Sequence, residues 1–242
     1  VPQVFLIADV NNDRLCQLDK WRILAASRIQ ETAMIGNRMR WPVRELTVDD
    51  RPALERHLLA LEADDRRLRF GITTSDAGIR GYVARLEFDR DGVLGVFGES
   101  LQLLGAAHVA RAAGHAELGV SVLAGHRNAG IGGALLGRAV LRARNWGVQA
   151  LFMHCLNENA AMMHLARKQD MRITRDAGEA DAWLELPRPD AATFFGEALE
   201  QRVGWFDFAL KVFAHEFARA ALAARARMMH PTPEAVMRAS SA

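Results

Sequence analysis

The stretch from Glu117 to Leu136, ELGVSVLAGHRNAGIGGALL, constrains the fold more than any other part of the chain. A β-branched strand runs straight into a tight loop holding Gly130, Gly132 and Gly133, and the loop opens an apolar helix. Such a loop aims several unpaired backbone N–H groups at one point, and the helix dipole adds positive potential there. The segment therefore reads as an anion site. Gly130 and Gly132 remove the Cβ atoms that would keep a phosphate from the backbone. Spacing excludes two phosphate sites. A P-loop needs a Lys after its second Gly, and none follows here. A dinucleotide fingerprint needs a Gly or Ala three places after Gly132, where Leu135 stands, and its ribose-binding acid is missing.

The same grammar extends on both sides. Pattern and turn signals predict strands over 43–48, 92–98, 101–110, 116–123, 150–155, 172–175 and 182–186. Helices are expected around Leu54, Leu58 and Leu61, over 76–86, over 132–146 with Gly147 as a left-handed stop, and over 157–168. A meander that turns into a βαβ unit implies an α/β (α+β) fold with a mixed, mostly antiparallel sheet and helices on it. Three zones follow: an N-terminal extension over 1–42, a domain over 43–187, and a helical extension with a tail over 188–242. In the first zone Leu15, Leu18 and Ala25 suggest a helix, and no function is legible. In the last, Phe195, Leu199, Val203, Phe206, Leu210, Phe213 and Phe217 recur at steps of four and three. That is one continuous apolar seam, suited either to the domain's own core or to a second copy in a homodimer. Past Pro231 the tail is expected to fray.

Composition narrows the function classes. Of 242 residues 50% are hydrophobic and 25% charged, with a net charge of +2, so neither nucleic acid nor an anionic membrane is an expected partner. The basic residues Arg66, Arg67 and Arg69 sit beside Asp64 and Asp65 rather than in a run. Cys16 and Cys155 give no disulfide framework, no apolar run approaches a membrane span, and a cytoplasmic location is expected. His154, Cys155 and His164 lack metal-site spacing, so no metal is expected.

The loop Arg127-Asn128-Ala129-Gly130-Ile131-Gly132 resembles the Gln/Arg-x-x-Gly-x-Gly/Ala signature of the GNAT N-acetyltransferases. A second stretch, Asn159 to Met171, resembles the family's Asn-x-x-Ala/Met-x-x-Leu-Tyr-x-Lys-x-Gly-Phe helix and turn. The likeness covers about 43–186, and the segment from Asp64 to Gly71 resembles a bacterial subgroup of unsettled substrate. The resemblance implies a GNAT fold with splayed central strands, and acetyl-CoA as co-substrate in the gap. It implies that backbone groups of Val120, Ser121 and Val122 hold the pantetheine arm. Arg127, Asn128, Ala129, Gly130, Ile131, Gly132 and Gly133 would bind the pyrophosphate, and Asn159 would meet the cofactor. The implied reaction moves acetyl to a primary amine of a small molecule, peptide or protein in a direct ternary complex. One N–H of the strand would polarise the thioester carbonyl.

An amine must lose a proton to attack, and position offers two bases. Glu117 begins the central strand, where partial burial would tune it upward, and His154 lies on the neighbouring strand. The family's thiolate-protonating Tyr is replaced by Ala166, and Gly-Phe of the turn by Asp170-Met171. The chain's one tyrosine, Tyr82, falls in an early helix that nothing in the sequence brings to the thioester, and His164 or Cys155 could substitute. The Ala166 replacement keeps a second reading open, an acyl-CoA-binding sensor or regulatory module with weak turnover.

Overall fold

A computed structural model describes residues 41–229 of the chain. The expected N-terminal helix, Cys16 and the tail past Pro231 lie outside the described residues. Seven strands form one sheet in the order β1-β2-β3-β4-β5-β7-β6. They are β1 (Arg44–Glu45), β2 (Gly92–Phe97), β3 (Leu103–Arg111), β4 (His115–Val122), β5 (Ala150–Leu156), β6 (Arg172–Asp176) and β7 (Glu179–Glu185). Every neighbouring pair is antiparallel except β4 with β5. The helices are α1 (Arg51–Leu59), α2 (Ala63–Phe70), α3 (Asp76–Ala84), α4 (Ile131–Asn145), α5 (Ala160–Lys168) and α6 (Ala191–Met229). The mixed sheet flanked by helices is the fold expected from the sequence.

Strand alternation sorts the core into two layers. Leu94, Val96, Ala107, Val109, Leu118 and Val120 face α4, whose Ile131, Ala134, Leu135, Leu136 and Ala139 are all buried. The opposite face carries Val93, Phe97, Leu103 and Ala106 against Leu54 and Leu58 of α1 and Ile79 and Val83 of α3. Both faces are covered, which explains why β2 reads as a continuous apolar run rather than an alternating one.

Local chemistry moves some expected boundaries. The first strand is shorter than 43–48, because Thr47 and Asp50 form a capping box that turns the chain into α1. The hairpin after β2 is longer than a two-residue turn. The Gly98 N–H meets the Gln102 carbonyl at 2.9 Å, and Leu101 takes φ 61°, a conformation that Glu99-Ser100 alone would not supply. Gly147 does end the βαβ helix, with φ 72°.

The C-terminal helix departs most from one of its two readings. Its apolar seam does not pack on the domain: Phe195, Phe206, Phe213 and Phe217 are 73%, 67%, 71% and 69% exposed. The opposite face docks instead. Buried Arg138 of α4 donates to Glu197 at 2.8 Å and to Gln201 at 3.2 Å. Lys211 donates to the Phe97 carbonyl at 2.9 Å and to Asp207 at 2.7 Å. Arg44, itself buried, lies over Trp205 and Phe208 and pairs with Asp50. Gly204 lets the helix approach β1, since a Cβ there would stand 2.5 Å from the Val43 carbonyl oxygen. Buried Arg138 finds its acceptors on the polar face of α6, and Lys211 of α6 finds one in the Phe97 carbonyl, so that face and not the apolar seam is turned to the domain.

Candidate active site

The site begins where two neighbouring strands part. Strands β4 and β5 pair only through His115, Ala116 and Glu117, opposite Ala150, Leu151 and Phe152. Yet β4 runs on to Val122 and β5 to Leu156, so a gap opens beyond Glu117. On its other edge β4 stays paired with β3 as far as Val122 opposite Gly105. The Leu123 N–H meets the Leu104 carbonyl at 2.9 Å, which sets the phase of the ladder. Alternation then turns the main-chain groups of Val120 and Val122 into the gap, and those of Ser121 onto β3 opposite Ala106. Ser121 is further engaged through its hydroxyl, 2.9 Å from His57 Nε2. Two of the three predicted strand residues thus present unspent main chain to a ligand in the gap.

The glycine loop meets the gap at its open end. Asn128 and Gly130 adopt φ 59° and 95°, and Gly130 caps α4. The Trp41 indole donates to the Ala129 carbonyl at 2.7 Å, and Arg127 pairs with Asp65 of α2, so the loop is tied at two points. The first bond of α4 joins the Ala134 N–H to the Gly130 carbonyl at 3.1 Å. The N–H groups of Ile131, Gly132 and Gly133 therefore have no acceptor within the helix. Ile131 buries its side chain against the core, so only its main chain faces outward. A Cβ on Gly132 would come 3.3 Å from Leu165 of α5. Unspent N–H groups at a helix start are the donors that an anion such as a phosphate accepts from, and the glycines leave the backbone open to it. Asn159 is engaged within the protein. Its Oδ1 accepts from the Met162 N–H at 3.1 Å as the cap of α5, and its Nδ2 donates to the Leu68 carbonyl at 3.2 Å.

Below the gap lies a cavity of about 310 Å³ whose walls include Arg69, Tyr82, His108, Glu117, His154 and Cys155. Both predicted bases reach it. Glu117 is exposed rather than partly buried. His154 donates from Nδ1 to the Asp181 carboxylate at 2.7 Å, and that hydrogen bond raises its pKa against a smaller opposing effect of burial. Burial raises the Cys155 thiol, which touches Met163 at 3.9 Å. Ala166 is buried in α5, and no hydroxyl occupies that place.

Reading the sequence missed the groups that converge from α3 and β3. Tyr82 Oη lies 2.8 Å from His108 Nδ1, and His108 Nε2 lies 3.0 Å from Asp91 Oδ2. Burial, with the Arg69 charge, lowers the His108 pKa despite Asp91, which keeps the imidazole neutral near pH 7. Neutral His108 then donates from Nε2 to the carboxylate and accepts the Tyr82 hydroxyl proton at Nδ1. Asp91 is itself buried, which works to raise its pKa, but Arg90, His108 and the Arg111 N–H together bring it below the ordinary value. Arg69 Nη2 donates to Tyr82 at 3.2 Å. No spacing signal links residues 69, 82, 91 and 108, because only strand register and the packing of α3 bring them together.

Among the described residues no group of His, Cys, Asp and Glu gathers as a metal site, and no helix is long and apolar enough to cross a membrane. A family model for the acetyltransferase (GNAT) family matches residues 40–171. The GNAT domain of S. lividans PAT superposes with a TM-score of 0.52 at 19% identity, covering 60% of this chain and 89% of that one. A GNAT-family acetyltransferase from Staphylococcus aureus Mu50 gives a TM-score of 0.50 at 12% identity, covering 60% of this chain and 98% of its own. At these identities the likeness is one of fold. No curated protein matches the chain.

Proposed function

This chain belongs to the GNAT acetyltransferase family, and from that premise we propose that it moves an acetyl group from acetyl-CoA to a primary amine by direct transfer in a ternary complex. The observation that carries the reading is the parting of β4 from β5 beyond Glu117, in line with the free N–H groups of Ile131, Gly132 and Gly133. Acetyl-CoA supplies the activated acyl group as co-substrate, and the protein's own residues do the rest. The cradle from Arg127 to Gly133 holds the two phosphates. Main-chain groups of Val120 and Val122 take the arm as a missing strand would, and an N–H there steadies charge on the thioester oxygen.

Glu117 or His154 accepts the proton that the amine gives up as it attacks. Tyr82 takes the acid's role that Ala166 cannot fill, because its hydroxyl lines the cavity and Arg69 stands 3.2 Å away to stabilise the phenolate. The proton passes from Tyr82 to the departing thiolate sulfur as the thioester carbon–sulfur bond breaks. A cytoplasmic enzyme is the accompanying expectation, with a second copy of the chain as partner along the exposed seam of α6.

One observation favours a second reading, the buried Ala166 in place of the family's tyrosine. On that reading the chain binds acyl-CoA and regulates or senses without turning it over. Calorimetry with acetyl-CoA, followed by thiol release with a panel of amines, separates the two. Binding with turnover supports the enzyme, and binding without turnover on any amine supports the sensor. Absence of binding defeats both.

A further inference from the structure

We propose that the acceptor amine also carries a carboxylate, and that Arg69 is the group that holds it; the inference rests on the acyltransferase reading above. The floor of the cavity is set by strand register. His108 stands opposite Gly119 and Ala110 opposite Glu117, so Glu117, Gly119, His108 and Ala110 share one face of the β3–β4 pair. Arg69 reaches over from α2 and lays its guanidinium directly on Gly119, where any Cβ would overlap it. The glycine is what lets the cation lie against the sheet.

Charge accounting singles this arginine out from its neighbours. Arg66 pairs with Asp76, Arg67 with Asp64 and Glu158, and Arg127 with Asp65. Among the described residues no carboxylate lies within ion-pair distance of Arg69. Its hydrogen-bond partner is the neutral Tyr82 hydroxyl, and its buried Nε has none. Phe70 and Tyr82 lie 5.1 and 5.9 Å from its Cζ, which shields the cation without neutralising it. Its charge is felt locally, for it opposes protonation of both His57 and His108. A half-buried guanidinium with no counter-ion is costly, and an anion entering the cavity relieves that cost. The planar end of the group, Nη1 with the second hydrogen of Nη2, fits the two oxygens of a carboxylate.

The rest of the cavity fixes what the carboxylate is attached to. Glu117 and Gly119 are two positions apart on one strand face, a spacing of about 7 Å. An amine beside Glu117 and a carboxylate on Arg69 are thus joined by a few atoms, as in a short amino acid. A doubly charged phosphate is disfavoured there by the Glu117 carboxylate in the same cavity.

The test is thiol release from acetyl-CoA with matched pairs: glycine, β-alanine and 4-aminobutyrate, each against its amide. At least one acid is expected to exceed its amide about tenfold in kcat/KM, as for a site built to pair a substrate's polar group. Arg69→Gln is expected to bring that ratio close to one, chiefly through KM, with acetyl-CoA affinity by calorimetry unchanged. Any loss common to acid and amide reflects the contact with Tyr82, so the ratio isolates the carboxylate. Arg69→Lys keeps the charge without the planar fork and is expected to fall between; it replaces the Gln variant should that one fail to fold. Equal rates for acids and amides, a ratio untouched by substitution, or no turnover of any acid by a chain that binds acetyl-CoA would each overturn the inference. Failure to bind acetyl-CoA removes the acyltransferase reading, and this inference with it.

Discussion

Tyr82 Oη and His108 Nδ1 lie 2.8 Å apart across the cavity wall, 26 residues distant in the chain, and Asp91 holds the far side of the imidazole. The pair joins a helix on one face of the sheet to the strand beside the parting of β4 and β5. A phenolate left there would be stabilised by the Arg69 guanidinium, whose Nη2 donates to Tyr82 at 3.2 Å, since the neutral imidazole meets the hydroxyl with an acceptor nitrogen.

Removing that hydroxyl tests its role. Tyr82→Phe is expected to lower kcat by about a hundredfold, the usual size of a general acid's contribution. Affinity for acetyl-CoA, measured by calorimetry, is expected to hold. An unchanged kcat would return Tyr82 to a packing role.

The cradle can be blocked with little harm to the fold. In Gly132→Val the new Cβ meets only the flexible end of Leu165, first at 3.3 Å, and the branched side chain is expected to screen the N–H groups at the start of α4. Acetyl-CoA affinity is expected to weaken by at least about tenfold, with a melting temperature lowered by only a few degrees. Equal binding by the variant would mean that the phosphates sit elsewhere.

Stability carries a pH signature from His57. Burial, against a weaker pull from the Leu103 carbonyl, lowers its pKa from 6.5 to about 4. Between those values the unfolded chain binds a proton that the folded chain refuses, so stability falls as pH drops from about 6.5 toward 4. The loss from this one group is on the order of 3 kcal/mol. Urea midpoints at pH 7, 6, 5 and 4.5 should fall accordingly, and His57→Gln, though less stable throughout, should show a flatter slope over that window. Parallel slopes for the two proteins would show that His57 is not the group refusing the proton.

The seam on α6 is open to a direct test. Phe206→Asp with Phe213→Asp alters side chains that are 67% and 71% exposed, so the fold should be kept and its melting unchanged or raised at low concentration. Sedimentation is expected to give a dimer for the parent and a monomer for the variant. A monomeric parent at tens of micromolar would remove the second copy as partner.

Docking of the same helix rests on Arg138, which is 1% exposed. Arg138→Ala removes the bonds to Glu197 and Gln201, while Glu197 keeps Arg142 at 3.1 Å and Asn145 at 2.6 Å, and should cost about 2 kcal/mol, seen in thermal unfolding. A cost below about 0.5 kcal/mol would place the hold of α6 in Arg44 and Lys211 instead.

Local signals in the sequence are local physics. Gly130 and Gly132 can be read as a phosphate cradle because the backbone geometry they permit lies within a few residues of themselves. Gly147 ends its helix for the same reason, and the apolar runs at 92–97 and 150–156 find the sheet because their burial repeats along the strand. The heptad-like spacing on α6 was legible too, but not what the spacing faces. That choice belonged to Arg44, Arg138 and the carbonyl of Phe97, which claimed the polar side of the helix.

The sequence by itself determined the succession of strands and helices and the family, and marked the glycine loop as an anion site, since each reading depends on neighbours in the chain. Only the tertiary structure decided which charges remain unanswered and which side chains meet. Tyr82, Asp91, His108 and Arg69 carry no mutual spacing, and their meeting follows from antiparallel register and from helices laid across it. Likewise the family's tyrosine is absent from α5, and that the chain's one tyrosine, Tyr82 on α3, lines the cavity appears only in the folded chain, because proximity across a fold is not written in separation along a chain.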